Sequence, residues 1–238
     1  MSGPFDFLAD LAPYAEAPAA IARLNNRHRL LIDPFAPQIA GARVLDLGAH
    51  DGRWSCALAR AGAAEVVGVE ARRGLIDRFA AFPDTDGAAT RVRPVCNDLF
   101  AELQARADAG ECFDVVALFG IFYHVMDHFR LLGLVRRLSP QLVVIDSEFI
   151  EADNAVIQVL REAVDNPLNA VTDVPGRVET VVGVPSRRAT EFIAAAQGFD
   201  LVWLDHAMLL GDNREGMQDY FRNGRKRRHV CALTPAAR

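Results

Sequence analysis

The chain has 238 residues and a formal net charge of −5, with 51% hydrophobic and 24% charged residues. That length permits one sizeable core. The composition is ordinary for a soluble globular protein, and the negative charge argues against a general nucleic-acid binder. The cysteines, Cys56, Cys96, Cys112 and Cys231, form no C-x-x-C pair; they read as reduced thiols in a cytosolic protein, with no zinc site and no disulfide framework. The start, "MSGPFDFLADLAPYAEAP", has no basic head followed by an apolar run, and no apolar stretch approaches about 18 residues. A cytoplasmic single domain with no membrane contact is expected.

Residues 1–40 read as helices with several prolines, forming a cap ahead of a sheet. Short apolar runs follow: "RVLDLG" (43–48), "EVVGVE" (65–70), "RVRPVC" (91–96), "DVVALFG" (114–120), "LVVID" (142–146), "LVWLD" (201–205) and "HVCAL" (229–233). The first five are nearly continuous in hydrophobicity, as in central strands buried on both faces of a parallel sheet. Between them, "RWSCALARAG", "GLIDRFAAF", "FAELQARADAG" and "HFRLLGLVRRLS" carry apolar residues at helical spacing. This alternation predicts an α/β fold with a doubly wound, mostly parallel seven-stranded sheet and helices on both faces. The last two runs predict an antiparallel pair at the sheet edge. Residues 149–184 exceed a normal connection, which makes them a candidate lid; a helix and a loop without a role is the alternative. The expected organisation is one domain over 1–238. It comprises a helical cap at 1–40, a cofactor-binding core at 41–148, the lid at 149–184, and a C-terminal helix with edge strands at 185–238.

The turn after the first run is Gly48-Ala49-His50-Asp51-Gly52. A dinucleotide site requires G-x-G-x-x-G, and His50 stands where the second glycine would admit a pyrophosphate. A Walker-type G-x-x-x-x-G-K-[ST] is absent as well. A cofactor without phosphates imposes neither pattern, and S-adenosylmethionine fits. Glu70 ends the second run 22 residues after Gly48, where an acid is the expected ribose partner. Asp98 follows the third run and can accept from the adenine amino group, with Leu99 against the ring. Asp46 and Asp51 flank the turn and can orient the amino-acid portion. Arg27 and His28, ahead of the sheet, can close over its carboxylate, an exposed helical face being the alternative.

At these residues the chain resembles the class I S-adenosylmethionine-dependent methyltransferases, well over residues 40–148 and loosely at the termini. "VLDLGAHDG" stands for the first family motif, "VVGVE" for the acidic second, "CNDLF" for the third and "DVVALFGIFYHV" for the fourth. The resemblance implies a Rossmann-like fold and a cofactor site lined by Asp46, Gly48, Asp51, Gly52, Glu70, Asn97, Asp98 and Phe119. Ala49 and His50 complete its turn, His50 replacing the family's small residue. "GIFYHVMDHFRLL" is similar to a subset that includes small natural-product and sugar methyltransferases and the enzyme that modifies the tRNA wobble uridine.

An alcohol is a poor nucleophile at neutral pH, so a positioned base should take its proton. His124, just after the fourth run, is the candidate, since an ordinary imidazole is largely neutral near pH 7; a packed histidine is the alternative. Asp146 and Glu148, at the end of the fifth run, can hold the imidazole or bind acceptor hydroxyls, or simply bond backbone amides. Tyr123 can supply a wall or a hydrogen bond. In "HVMDH" the i, i+4 pair His124 and His128 invites a metal reading, but Asp127 is better explained as a helix N-cap. No metal is assigned here, and metal dependence stays open. "RKRRH" (225–229) is either a phosphate or RNA contact or a solvated hairpin end. Tyr14, Trp54, Trp203 and Tyr220 are candidate stacking residues, although Trp54 reads better as packed under the turn.

The expected activity is O-methylation of a small polar acceptor, a sugar or oligosaccharide as in methylated-mannose polysaccharide synthesis, with S-adenosylhomocysteine as product. The alternatives are a tRNA-modifying methyltransferase and a non-catalytic cofactor-binding scaffold.

Overall fold

A computed structural model of the chain describes residues 3–84, 87–172 and 174–237. Two positions each of the expected cap and core, one of the expected lid and the final residue lie outside the described residues. The strands are β1 (Arg43–Leu47), β2 (Glu65–Glu70), β3 (Val92–Cys96), β4 (Val115–Phe119), β5 (Leu142–Ile150), β6 (Ile157–Ala163), β7 (Glu179–Pro185), β8 (Phe199–Trp203) and β9 (Lys226–Pro235). The helices are α1 (Pro18–Leu31), α2 (Ala36–Ile39), α3 (Arg53–Arg60), α4 (Arg73–Ile76), α5 (Leu99–Asp108), α6 (His128–Arg137), α7 (Arg187–Ala196), α8 (His206–Leu210) and α9 (Gln218–Phe221). Among the described residues, no helix is long and apolar enough to cross a membrane.

The main sheet has seven strands in the order β3-β2-β1-β4-β5-β9-β8. The first five pair in parallel, and β9 runs antiparallel to both of its neighbours. Strand alternation divides the core into two layers. Val44, Val66, Ala117 and Val144 face one way, toward Leu24 and Leu31 of α1 and Trp54 and Leu58 of α3. Leu45, Val67, Val116 and Val143 face the other, toward Leu103 of α5 and Leu131 and Val135 of α6. The sheet order reverses between β1 and β4, so the crevice beyond their carboxyl ends is the natural place for a ligand.

Two sequence expectations need correction. β3 is not buried on both faces: it is the sheet edge, with Arg93 and Pro94 exposed. Proline is tolerated there because an edge strand has ladder positions that need no donor. The terminal strands form the expected antiparallel pair at the sheet edge, with β8 outermost. β9 joins this pair to the parallel strands, pairing its Leu233–Lys226 with Val143–Ile150 of β5. The apolar residues Val230, Cys231 and Leu233 of β9 are buried. Residues 149–184 do not begin as a separate insert. Phe149 and Ile150 continue β5, and beyond them β6 and β7 pair antiparallel as a separate two-stranded sheet.

One buried charge ties four elements together. Asp146 on β5 is fully buried. Its Oδ2 accepts from Arg27 of α1 and from Arg228 of β9, the latter at 3.2 Å, and its Oδ1 accepts from the Tyr220 hydroxyl of α9 at 2.7 Å. Arg228 also donates through Nε to Asp219, 2.9 Å away, which holds Arg23 of α1 in a bidentate pair at 2.7 Å. Burial pushes the Asp146 carboxyl up, but Arg27, Arg228 and the Tyr220 hydroxyl outweigh it and hold it at about 2. Replacing Asp146 with Asn leaves two buried guanidinium groups short of their counter-charge, which destabilises by about 3–5 kcal/mol. Urea denaturation at neutral pH measures the loss; an unchanged midpoint would remove the ion network from the stability of the fold.

A second buried group predicts acid sensitivity. His206 of α8 accepts from the Val230 N–H at 3.0 Å. Burial first, and His229 beside it, lower its pKa from 6.5 to about 4. The unfolded chain therefore takes the proton first. The contribution is complete above pH 6.5 and disappears as pH falls toward 4, about 3 kcal/mol in all. Thermal midpoints measured across that range should fall with acidification, and His206→Gln should flatten the slope.

Candidate active site

The turn between β1 and α3 reverses the chain through three residues of positive φ: Gly48 at 71°, His50 at 55° and Gly52 at 83°. A Cβ on Gly48 would lie 2.9 Å from Cβ of Ile121, and one on Gly52 would lie 2.6 Å from the Phe79 ring. His50 adopts the left-handed region without being glycine, which histidine does more readily than most residues. The N–H groups of Gly48 and Ala49 donate to Val69 O at 3.0 and 2.9 Å, that of Gly52 to Ala49 O at 2.9 Å, and that of His50 to Glu70 Oε2 at 3.1 Å. These donors are engaged within the protein, so the turn offers no pyrophosphate the row of free N–H groups that a dinucleotide site presents.

Beyond the carboxyl ends of β1, β2 and β4 lies a cavity of about 460 Å³. Gly48 and His50 form one side of it. Glu70 faces it with both oxygens anchored, Oε2 by the His50 N–H and Oε1 by the Arg72 N–H at 2.9 Å. Each oxygen keeps a lone pair, which suits a vicinal diol. Asp98 caps α5, its Oδ1 accepting from Ala101 N at 2.9 Å; among the described residues, no donor engages Oδ2. Asn97 braces that cap, accepting from Asp98 N and donating to Glu102. Leu99 and Ile121 also line the cavity, as do Phe119 and Trp54, whose rings meet edge-on at 5.3 Å. Arg27 reaches it from α1, stacked over Trp54 at 5.0 Å, with its Nε buried and, among the described residues, without a hydrogen-bond partner.

Several expected residues support the site from behind instead. Asp46 faces α3, accepting from Ser55 Oγ at 2.6 Å, and burial raises its pKa to about 6 against that hydrogen bond and Arg53. Asp51 is held by the Tyr14 hydroxyl at 2.5 Å and by Arg53; burial would raise its pKa, but His50, Arg53 and Tyr14 outweigh this and hold it at about 2. Tyr14 is thereby part of the turn's support and not a stacking surface. Ala49 is buried in the turn, and Gly52 packs against Phe79. His28 pairs with Asp33 at 2.9 Å and packs on Phe5, outside the cavity.

At the opposite wall, the single turn Phe122–His124 brings Tyr123 and His124 into the same cavity. The two rings lie 3.9 Å apart, and the Tyr123 hydroxyl accepts from Arg228 at 3.2 Å. Neither acid expected to hold the imidazole does so. Asp146 is sealed beneath Arg27 and Arg228, and Glu148 is paired with Arg222 at 2.6 Å and Lys226 at 2.7 Å. His124 Nδ1 instead lies 2.7 Å from Oε2 of Glu162 on β6. The sequence reading missed Glu162. Its only signal was the alternation of "IQVLREA", which turns Gln158, Leu160 and Glu162 to the less exposed face of β6. Arg72 and Arg228, both at the cavity wall, were missed as well.

His128 faces elsewhere, its Nε2 3.0 Å from Phe122 O, while Asp127 caps α6 through Arg130 N at 3.0 Å. Among the described residues, no three potential ligands gather for a metal ion. "RKRRH" runs from an exposed Arg225 through the half-buried Lys226 and Arg227 into the sheet. Arg228 and His229 are buried, and Lys226 and His229 lie 2.7 Å from Glu148 and Glu151. Tyr220 serves Asp146 and Trp203 donates to Glu191 at 2.9 Å, so neither is a cavity wall.

Residues 44–141 match the family model of a methyltransferase domain. No curated protein matches the chain significantly. Among solved structures, the N-terminal domain of EvdMO1, crystallised with S-adenosylhomocysteine and D-fucose, superposes with a TM-score of 0.63 at 21% identity, over 92% of this chain and 83% of that one. The CcbJ methyltransferase from Streptomyces caelestis gives 0.58 at 20% identity, over 99% of both chains. An S-adenosylmethionine-dependent methyltransferase from Mesorhizobium loti gives 0.56 at 16% identity, over 92% of this chain and 99% of that one. These likenesses establish the fold, and the family match assigns its central part. Residues 44–141 thus match a methyltransferase domain, within a fold that the chain shares with S-adenosylmethionine-dependent methyltransferases.

Proposed function

We propose that the chain is an O-methyltransferase of a small polar acceptor, a sugar or oligosaccharide, with His124 as its general base. The observation that carries this reading is the placement of His124, backed by Glu162 at its Nδ1, on the wall of the cavity that Glu70 faces from the other side. The likeness to a domain crystallised with S-adenosylhomocysteine and D-fucose favours a sugar among small acceptors.

In this reading Glu70 accepts from the ribose hydroxyls, the free oxygen of Asp98 accepts from the adenine amino group, and Leu99 and Ile121 enclose the ring. The unpartnered Nε of Arg27 faces the carboxylate of the methionine portion. The cofactor, when bound, supplies an electrophilic methyl group on a sulfonium. His124 donates a hydrogen bond from Nδ1–H to Glu162, which leaves Nε2 free to take the acceptor hydroxyl proton as the oxygen attacks. Burial of the site keeps water from competing. The hairpin of residues 151–185 acts as the lid, since Pro167–Val171 and Thr180–Val181 line the cavity. A tRNA acceptor is disfavoured because four of the five residues in the basic run that suggested it, Lys226 to His229, are paired with carboxylates.

Calorimetric titration with S-adenosylhomocysteine should show saturable binding, weakened about 10-fold or more in Glu70→Ala, the loss of roughly one charge-assisted hydrogen bond. His124→Ala should keep that binding while losing about 100-fold or more in transfer to deoxyhexose acceptors, D-fucose among them. Full turnover in His124→Ala would remove the base, and no binding by the folded protein would remove the cofactor site.

A further inference from the structure

The hairpin is attached at two places that bear on His124. At its base, Gly183 N donates to Val125 O at 3.0 Å, beside the turn that carries the imidazole. At its loop, the guanidinium of Arg72 donates to the carbonyls of Asn169 at 2.9 Å, Val164 and Asn166 at 3.2 Å, Ala170 at 3.4 Å and Pro167 at 3.5 Å. An arginine so placed takes the donors that would usually meet a carboxylate and spends them on one loop. Without the guanidinium these carbonyl dipoles converge with no positive charge between them, and each gains by turning outward to water.

The grip continues to the imidazole through a single residue. Ala170 offers its carbonyl to Arg72, and its N–H donates to Oε2 of Glu162 at 3.0 Å. That oxygen is the one 2.7 Å from His124 Nδ1. The His124 and Ala170 hydrogen bonds outweigh the effect of burial and keep the Glu162 carboxyl below its ordinary value, so it is ionised and acts as acceptor. At the other end, the backbone N–H of Arg72 holds Oε1 of Glu70. One chain of contacts thus runs from the cavity acid at β2 to the imidazole, through a loop distant from both in sequence.

We propose that Glu162 is the positioning residue of His124, and that Arg72 holds it in place through Ala170. The imidazole then keeps its proton on Nδ1, with Nε2 open, only while the hairpin is closed over the cavity. This inference rests on the O-methyltransferase reading for its purpose, and on the geometry alone for its content. It makes closure a condition of base function, so that proton removal is confined to a site from which water has been excluded.

The test reads the imidazole itself. Nitrogen-15 shifts of the His124 ring, assigned by their loss in His124→Gln, are recorded at about pH 8 with S-adenosylhomocysteine present, where an ordinary imidazole is neutral. The wild-type ring should be protonated at Nδ1. Glu162→Leu should shift the population toward Nε2–H, the usual form in water, and Glu162→Gln, which keeps an acceptor oxygen, should largely restore the first form. Arg72→Ala, which touches neither partner and keeps its backbone bond to Glu70, should shift the population in the same direction as Glu162→Leu. A wild-type tautomer in Glu162→Leu overturns the positioning role, and one in Arg72→Ala overturns the loop's part in it. A locked tautomer in a protein that transfers no methyl to any acceptor would instead sink the O-methyltransferase reading and leave the Glu162 assignment standing.

Discussion

A carboxylate with no access to water sits at the middle of this molecule, and the rest is arranged around keeping it charged. Asp146 lies on β5 at the face covered by α1, and its oxygens are shared by two guanidinium groups and a tyrosine hydroxyl. Isolated, such a charge would be very costly to bury, and it persists because the groups around it also satisfy its lone pairs. Those groups come from α1, α9 and β9. The same ion cluster draws Arg27 and Arg228 to the cavity wall, and Arg228 in turn holds the Tyr123 hydroxyl beside His124. The polar side of the site is thus an outgrowth of a structural ion network.

At the other side, the glycine turn is set apart from a phosphate site by what it withholds. A phosphate-binding turn points free N–H groups outward. Here Val69, Glu70 and the turn itself take those donors, and what faces the cavity is the carboxylate that the His50 N–H helps to hold. His50 is compatible with this arrangement, whereas the same side chain would obstruct a pyrophosphate. A neutral diol would meet an anchored acceptor there, while a phosphate would meet a like charge.

The main strands and helices were legible because each is encoded locally. Continuous β-branched runs such as "EVVGVE" and amphipathic segments such as "HFRLLGLVRRLS" state their periodicity within ten residues or so, and Gly48, Glu70 and Asp98 follow strand ends at recognisable places. The failures share a cause. β3 was read as central because its neighbours were, although Arg93 and Pro94 mark an edge. Asp46 and Asp51 were placed by the glycine turn, and Asp146 and Glu148 by the end of the fifth run, but the groups that engage them, such as Ser55, Tyr14, Arg27 and Arg222, come from other elements. Position at a strand end does not decide which carboxylate meets the ligand and which is sealed beneath an arginine.

The sequence by itself determined the α/β alternation, the glycine turn, the acids after β2 and β3, and the histidine after β4, since these depend on local propensity and spacing. The tertiary structure alone decided the order in which β9 enters the sheet, the ion network around Asp146, and the union of His124 with a glutamate 38 residues away. Those pairings depend on which surfaces meet when the core closes. A charge in the sequence carries no record of its partner until burial makes finding one obligatory.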